Sequence, residues 1–244
     1  MLARLQSSAP HLSLPADFGG PLTDWGLQPG AASGEGKSDG LLLYKSADGL
    51  TESGLWQCGT GSWPVSIPRD ELCHFVSGQA VYESGSGQRV EVGPGSVVLF
   101  PAGWEGTCSV RETMRNVYML NRAGRSVTGA RALTLDDPAG LSGPFREWGV
   151  IPTMIAGQSA TSGLLLHKGP EGESECGIWI CTPGHWHCHV IRDEFCHFLL
   201  GRCTYTHESG EVIEITPDTV AFFPGGWRGT CRVHETIRKV YMIS

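Results

Sequence analysis

Residues 20–120 recur at 143–243 with a constant offset of 123 and no gap. GPLTDWGLQP at 20 meets GPFREWGVIP at 143, and RDELCHFVSG at 69 meets RDEFCHFLLG at 192. FPAGWEGTCSVRETMRNVYM at 100 meets FPGGWRGTCRVHETIRKVYM at 223. Of the 101 aligned positions 45 are identical, so the two copies must share one fold. A unit of about 100 residues can bury a core of its own. The chain therefore divides into an arm (1–19), a first domain (20–120), a linker (121–142) and a second domain (143–244). The linker holds LDDPAGLSG, a turn-rich stretch.

Each copy reads as strands. LLLYK, GLWQC, ELCHFVSG, AVYES, SVVLF and RNVYML are short and rich in β-branched or aromatic residues, with Gly, Pro and Ser clusters between them. SGSG at 84–87 and HESG at 207–210 read as tight hairpin connections. No long segment has a helical period. The expected class is all-β, a sandwich or jelly roll in each half. Exposed sheet edges make a homodimer an expected assembly.

Composition narrows the partners. The net charge of −7 would repel nucleic acid and anionic membranes over most of the surface, which leaves a small molecule as the expected partner. No apolar run approaches the ~18 residues a bilayer span needs. The N-terminus has no long apolar stretch behind a basic start, so no secretory signal is read there. The nine cysteines show no C-x-x-C spacing and read as reduced, mostly buried thiols, which points to a cytoplasmic setting.

The copies differ in their imidazoles. Seven of the nine histidines lie in the second domain, one (His74) in the first, and His11 in the arm. His185, His187 and His189 alternate with Trp186 and Cys188, and on a strand they would share one face. Their counterparts are Ser62, Pro64 and Ser66, whereas Glu194 is matched by Glu71. Two imidazoles and a carboxylate suit a borderline divalent ion with open positions for substrate. Cys188 points to the opposite face from His187 and His189 and is excluded as a ligand. Cys231 is matched by Cys108 and reads as core packing.

The run His187, His189, Glu194, Gly201, spaced H-x-H-x4-E-x6-G, resembles the first metal motif of the cupin superfamily. The second motif is recognisable in Pro224, Gly225 and Gly226, with Gly229 standing where its histidine would be. Trp179 and Cys181, the pair Asp193 and Glu194, P-x-G-W-x-G-T at 224–230 and R-K-V-Y at 238–241 are similar to the cupin family named after (S)-ureidoglycine aminohydrolase. The resemblance covers both copies. It implies two tandem double-stranded β-helix barrels of the RmlC-like jelly-roll type, a bicupin whose first barrel is degenerate. It also implies a divalent metal (Fe, Mn, Ni or Zn) on His187, His189 and Glu194. It does not imply the named reaction.

Around that site His185 reads as a fourth ligand, a proton shuttle or a rim residue, and as a general base if its pKa is unshifted. Lys239 and Tyr241 share a strand face; the lysine is matched by Asn116 and the tyrosine by Tyr118. Lys239 could orient an anionic substrate or act as an acid, with Tyr241 donating a hydrogen bond, or else pair with Glu235. His197 recurs as His74 and reads as structural. The leading expectation is a metal-dependent enzyme acting on a small polar or acidic metabolite, by hydrolysis, isomerisation or dioxygen chemistry. Its rivals are a non-catalytic ligand-binding or sensing bicupin and a purely structural assembly subunit.

Overall fold

The computed structural model describes residues 9–13, 20–32, 35–121, 129–169 and 174–244. All regular elements among them are strands. The arm carries β1 (His11–Ser13). The first unit, Gly19–Pro138, holds β2 (Thr23–Leu27), β3 (Lys37–Lys45), β4 (Glu52–Cys58), β5 (Gly61–Ile67), β6 (Glu71–Ser84), β7 (Arg89–Val92), β8 (Val97–Phe100), β9 (Trp104–Leu120) and β10 (Leu133–Leu135). The second unit, Ala139–Ser244 with the arm, holds β11 (Arg146–Val150), β12 (Met154–Gly157), β13 (Ala160–Lys168), β14 (Glu175–Cys181) and β15 (Gly184–His189). It continues through β16 (Glu194–His207), β17 (Val212–Ile215), β18 (Thr219–Phe223) and β19 (Arg228–Ile243).

Each unit is an antiparallel sheet wound into a double-stranded β-helix barrel. The order is β10-β8-β6-β9-β4-β3-β2 in the first and β1-β18-β16-β19-β14-β13-β11 in the second. The winding depends on two long strands per barrel. β6 pairs with β8 at its start and with β7 at its end, with three register shifts between Phe75 and Ala80. Each shift bends the strand, so one strand serves both walls. Gly78 lies in that bend at φ +78°, and Gly201 occupies the same place in β16 at φ +79°. Gly201, the last residue of the cupin spacing, is thus a corner of the barrel.

The linker and the arm are not passive. Leu133–Leu135 adds an edge strand to β8, and His11–Ser13 adds one to β18. Leu135 faces Val97 and Leu12 faces Val220, the same pairing displaced by 123. The duplication therefore reaches upstream of residue 20, to the edge strand of each sheet.

Inward residues of each sheet fill the core. Tyr82, Phe100 and Trp104 are matched by Tyr205, Phe223 and Trp227. Ring separations of 4.8, 6.2 and 5.2 Å in the first barrel become 4.7, 5.9 and 5.3 Å in the second. The two aromatic clusters are equal to within 0.3 Å at these contacts, so differences between the barrels lie in the side chains around them.

Arg69, Asp70 and Glu71 show how one repeated tripeptide divides its work. Arg69 donates to the carbonyls of Gly49 and Leu50, Asp70 accepts from the Ala102 amide at 2.8 Å, and Glu71 turns into the barrel. In the second copy Asp193 accepts from the Gly225 amide at 2.7 Å, which holds the turn before β19.

Candidate functional site

A cavity of about 440 Å³ opens in the second barrel, walled by Trp148, Trp179, Trp186, Tyr205, Tyr241 and Ile243. Its polar groups come from Glu175, Cys188, Glu194 and Lys239. β15 supplies Trp186 and Cys188. Alternation along that strand does put His185, His187 and His189 on one face, but that face is the outer one. Trp186 is 5% exposed, whereas His187 and His189 are exposed. Burying an indole stabilises the fold by about 2–3 kcal/mol, whereas burying three imidazoles without partners would cost hydration. The same choice is made in β5, where Trp63 is buried.

The structure does not assemble the expected metal centre. Glu194 faces the cavity, on the other side of the wall from His187 and His189, so the three do not converge. Among the described residues no three or more His, Cys, Asp or Glu side chains are placed to hold a metal ion. Nor can the glycine of the second motif be replaced by a ligand: a Cβ on Gly229 would lie 2.1 Å from the Thr206 carbonyl and 2.7 Å from the Trp227 ring. Gly106 is closed in the same way by Glu83 and Trp104. His185 also stands outside the cavity. Arg232 donates to its Nδ1 at 3.3 Å. Partial burial, the Arg232 charge and His187 lower its pKa. Simultaneous replacement of His185, His187 and His189 by alanine is expected to change stability by less than about 0.5 kcal/mol and to leave metal content unaltered. Denaturation curves and elemental analysis check this; loss of a stoichiometric ion in the triple variant would restore the metal reading.

The structure does bring Glu194, Lys239 and Tyr241 together. On β16 Glu194, Cys196 and Phe198 alternate inward, and Lys239 of β19 lies opposite both Phe198 and Trp179 of β14. Lys239 Nζ donates to Glu194 Oε1 at 2.6 Å and to Cys196 Sγ at 3.1 Å. It stands over the rings of Trp179 at 4.8 Å and Phe198 at 5.6 Å, within cation–π range. The expected alternative partner, Glu235, instead pairs with Arg202 at the surface. Tyr241 donates to Glu175 at 3.1 Å, and Lys168 pairs with Glu175 at 2.8 Å.

These contacts set the protonation states. Burial alone would lower the Lys239 pKa; the Glu194 carboxylate beside it outweighs burial and holds the ammonium above the usual lysine range. Burial, then Glu194, pushes the Cys196 thiol up, and burial with Cys231 and Glu194 does the same to Cys188. Burial and Glu175 raise Tyr241. Burial opposes the ionised form of Glu175, but Lys168 and Tyr241 hold it below the usual carboxylate range. The cavity presents a fixed ammonium, neutral thiols and a phenol. An ammonium has three protons, and the contacts to Glu194 and Cys196 occupy two of them.

The aromatic wall escapes a reading of the sequence for one reason. Trp148, Trp179 and Trp186 recur as Trp25, Trp56 and Trp63, and recurrence by itself reads as packing. The same recurrence also marks a wall common to two cavities, since all three first-copy tryptophans line the first barrel's cavity.

Comparison with known proteins agrees with this architecture. Solved structures similar to the chain include a protein of unknown function from Pseudomonas syringae pv. tomato (TM-score 0.72, 15% identity, covering 83% of this chain and 85% of that one). A cupin 2 conserved barrel domain protein from Leptotrichia buccalis aligns at TM-score 0.61 and 9% identity, over 87% of this chain and 91% of that one. The protein Ylba from E. coli aligns at TM-score 0.60 and 12% identity, over 96% and 90%. At these identities the likeness establishes fold alone. No curated protein matches the sequence significantly. The EutQ-like cupin domain profile matches residues 45–118 and again 168–241, the same offset of 123 and 148 of the 244 residues together. With the barrels, their shared cavity walls and this twofold match in hand, the chain belongs to the EutQ-like cupin domain family and carries that domain twice in tandem.

Proposed function

We propose that the second barrel binds a small polar or acidic metabolite through the Lys239 ammonium, and that it acts as a metal-independent binding or sensing module. The observation that carries this reading is the lysine itself: buried, 5% exposed, fixed at 2.6 Å from Glu194, with one proton remaining for a ligand oxygen. The aromatic walls would cover a ligand's apolar part, as in most small-molecule sites. Tyr241 gives its proton to Glu175, so its oxygen can accept from a ligand donor beside the ammonium.

Binding is favoured over acid–base catalysis because Lys239, Cys188, Cys196 and Tyr241 all have pKa values pushed up, away from neutrality. A general acid or base works best with a pKa near the working pH. A metal-dependent reaction carried by His187, His189 and Glu194 would need both imidazoles inside the barrel. The nine cysteines, all among the described residues, are in no disulfide, which fits the expected cytoplasmic setting. No helix among the described residues is long and apolar enough to cross a membrane.

The test is a tryptophan-fluorescence titration with acetate, pyruvate and succinate. Saturable quenching by at least one of them is expected. The double variant Lys239→Met/Glu194→Gln, which removes both charges and leaves no lone buried ion, should weaken it at least about tenfold. Unchanged quenching in the double variant, or catalytic turnover that depends on added metal, would overturn the reading.

A further inference from the structure

The second barrel shows what its framework is built to hold: a primary ammonium, cradled by Glu194, Cys196, Trp179 and Phe198. The first barrel keeps every part of that cradle. Glu71, Cys73 and Phe75 alternate inward on β6, and Trp56 stands on β4. The thiol of Cys73 lies 3.4 Å from Glu71, against 3.5 Å for Cys196 and Glu194. Phe75 and Trp56 both face position 116 in register, as Phe198 and Trp179 face 239. Only the ammonium is missing, because Asn116 stands where the lysine would be.

Asparagine ends about two side-chain atoms short of a lysine nitrogen, so the shorter side chain leaves room among acceptors. Those acceptors are unusual. Asn116 is 2% exposed, and its Oδ1 is buried without a hydrogen-bond partner. An orphaned buried carbonyl costs about 1–3 kcal/mol and is a feature that native proteins rarely keep without use. Glu71 lines the same cavity of about 290 Å³, together with Trp56, Cys73 and Asn116. Burial holds the Glu71 carboxyl above its usual range, opposed in part by Cys73 and Arg69. The other carboxylate of the cavity, Glu52, already has partners in Lys45 and Tyr118.

We propose that the first barrel is a second, independent ligand site that takes a small molecule bearing a primary alkylammonium group, which occupies the place Lys239 fills in the other copy. Its three protons match Glu71, the Asn116 Oδ1 and the Cys73 sulfur, and Trp56 offers a ring face for its charge. The alkyl part lies against Trp63 and Tyr82, where the cavity is apolar. The site uses no residue of the second barrel, so its failure would leave the reading of that barrel untouched.

The test is calorimetric titration of the full chain with n-butylammonium chloride, a lysine side-chain analogue, against n-butanol and sodium chloride. About one equivalent of butylammonium should bind, and butanol should not. Asn116→Lys, which fills the cradle from within, should abolish binding. Glu71→Gln should weaken it at least about tenfold even if the lysine variant fails to fold. Lys239→Asn, which copies the first cradle into the second barrel, should raise the stoichiometry to about two. Absence of binding at millimolar butylammonium, equal binding of butanol, or unchanged affinity in Glu71→Gln would overturn the proposal.

Discussion

Glu194→Gln is expected to destabilise the second unit by about 2–4 kcal/mol, whereas Glu71→Gln at the matching position should cost less than about 1 kcal/mol. The side chains are equivalent by repeat, but their surroundings differ by one charge. Removing the Glu194 carboxylate strands the Lys239 ammonium, whose side chain is 6% exposed, without its anion. Breaking such a pair costs about 3–5 kcal/mol when fully buried, and the open cavity beside it reduces that figure. Among the described residues Glu71 has no cation in hydrogen-bond contact; its carboxyl accepts from the Cys73 thiol. Its pKa is raised by burial, so the folded state holds the proton more tightly than the unfolded chain does. The stability this contributes is complete below the unfolded carboxylate pKa and is lost as pH rises through the folded one. Glu71→Gln removes that loss, so the variant should gain on the wild type as pH rises, while Glu194→Gln should stay destabilised at neutral pH. Thermal unfolding across pH 4–9 checks both. The expected fall in midpoint for Glu194→Gln at pH 7 is about 8–15 °C. Equal effects of the two substitutions would refute the charge asymmetry between the barrels.

Gly201→Ala should destabilise the second barrel by about 3 kcal/mol or more, with Gly78→Ala doing the same in the first. Two costs add at Gly201. Its φ of +79° strains any side-chain-bearing residue, and a Cβ there would lie 2.2 Å from the Thr236 carbonyl and 2.8 Å from that of Glu235. Those atoms are backbone of β19, held by pairing on both sides, and cannot step back cheaply. Gly210 separates the two costs. It has φ +89° in a hairpin, and a Cβ added there would meet nothing within 4 Å, so Gly210→Ala should lose only about 1 kcal/mol. Urea unfolding of the three variants measures this. A Gly201→Ala loss no larger than that of Gly210→Ala would mean the corner tolerates a wider bend.

Much of this protein is legible without its structure. The offset of 123 predicts two like domains, and the short β-branched runs with Gly and Pro between them predict sheets, because strand formation follows local pattern and burial. The pair Lys239 and Asn116 stands out as a difference between copies, and it separates a filled cradle from an open one.

What the sequence hides is the face of one strand. Alternation establishes that His185, His187 and His189 share a side, and it is silent on which side is inside. Closure of the barrel decides that, burying Trp186, turning Cys188 toward the cavity and the imidazoles outward. The pairing of Lys239 with Glu194, 45 residues apart, likewise depends on the register between β16 and β19. The sequence by itself determined the number of domains, their class and the positions at which the copies differ, since these are properties of pattern along the chain. Only the tertiary structure decided which side chains meet, because inward and outward acquire meaning once a sheet has closed around a core.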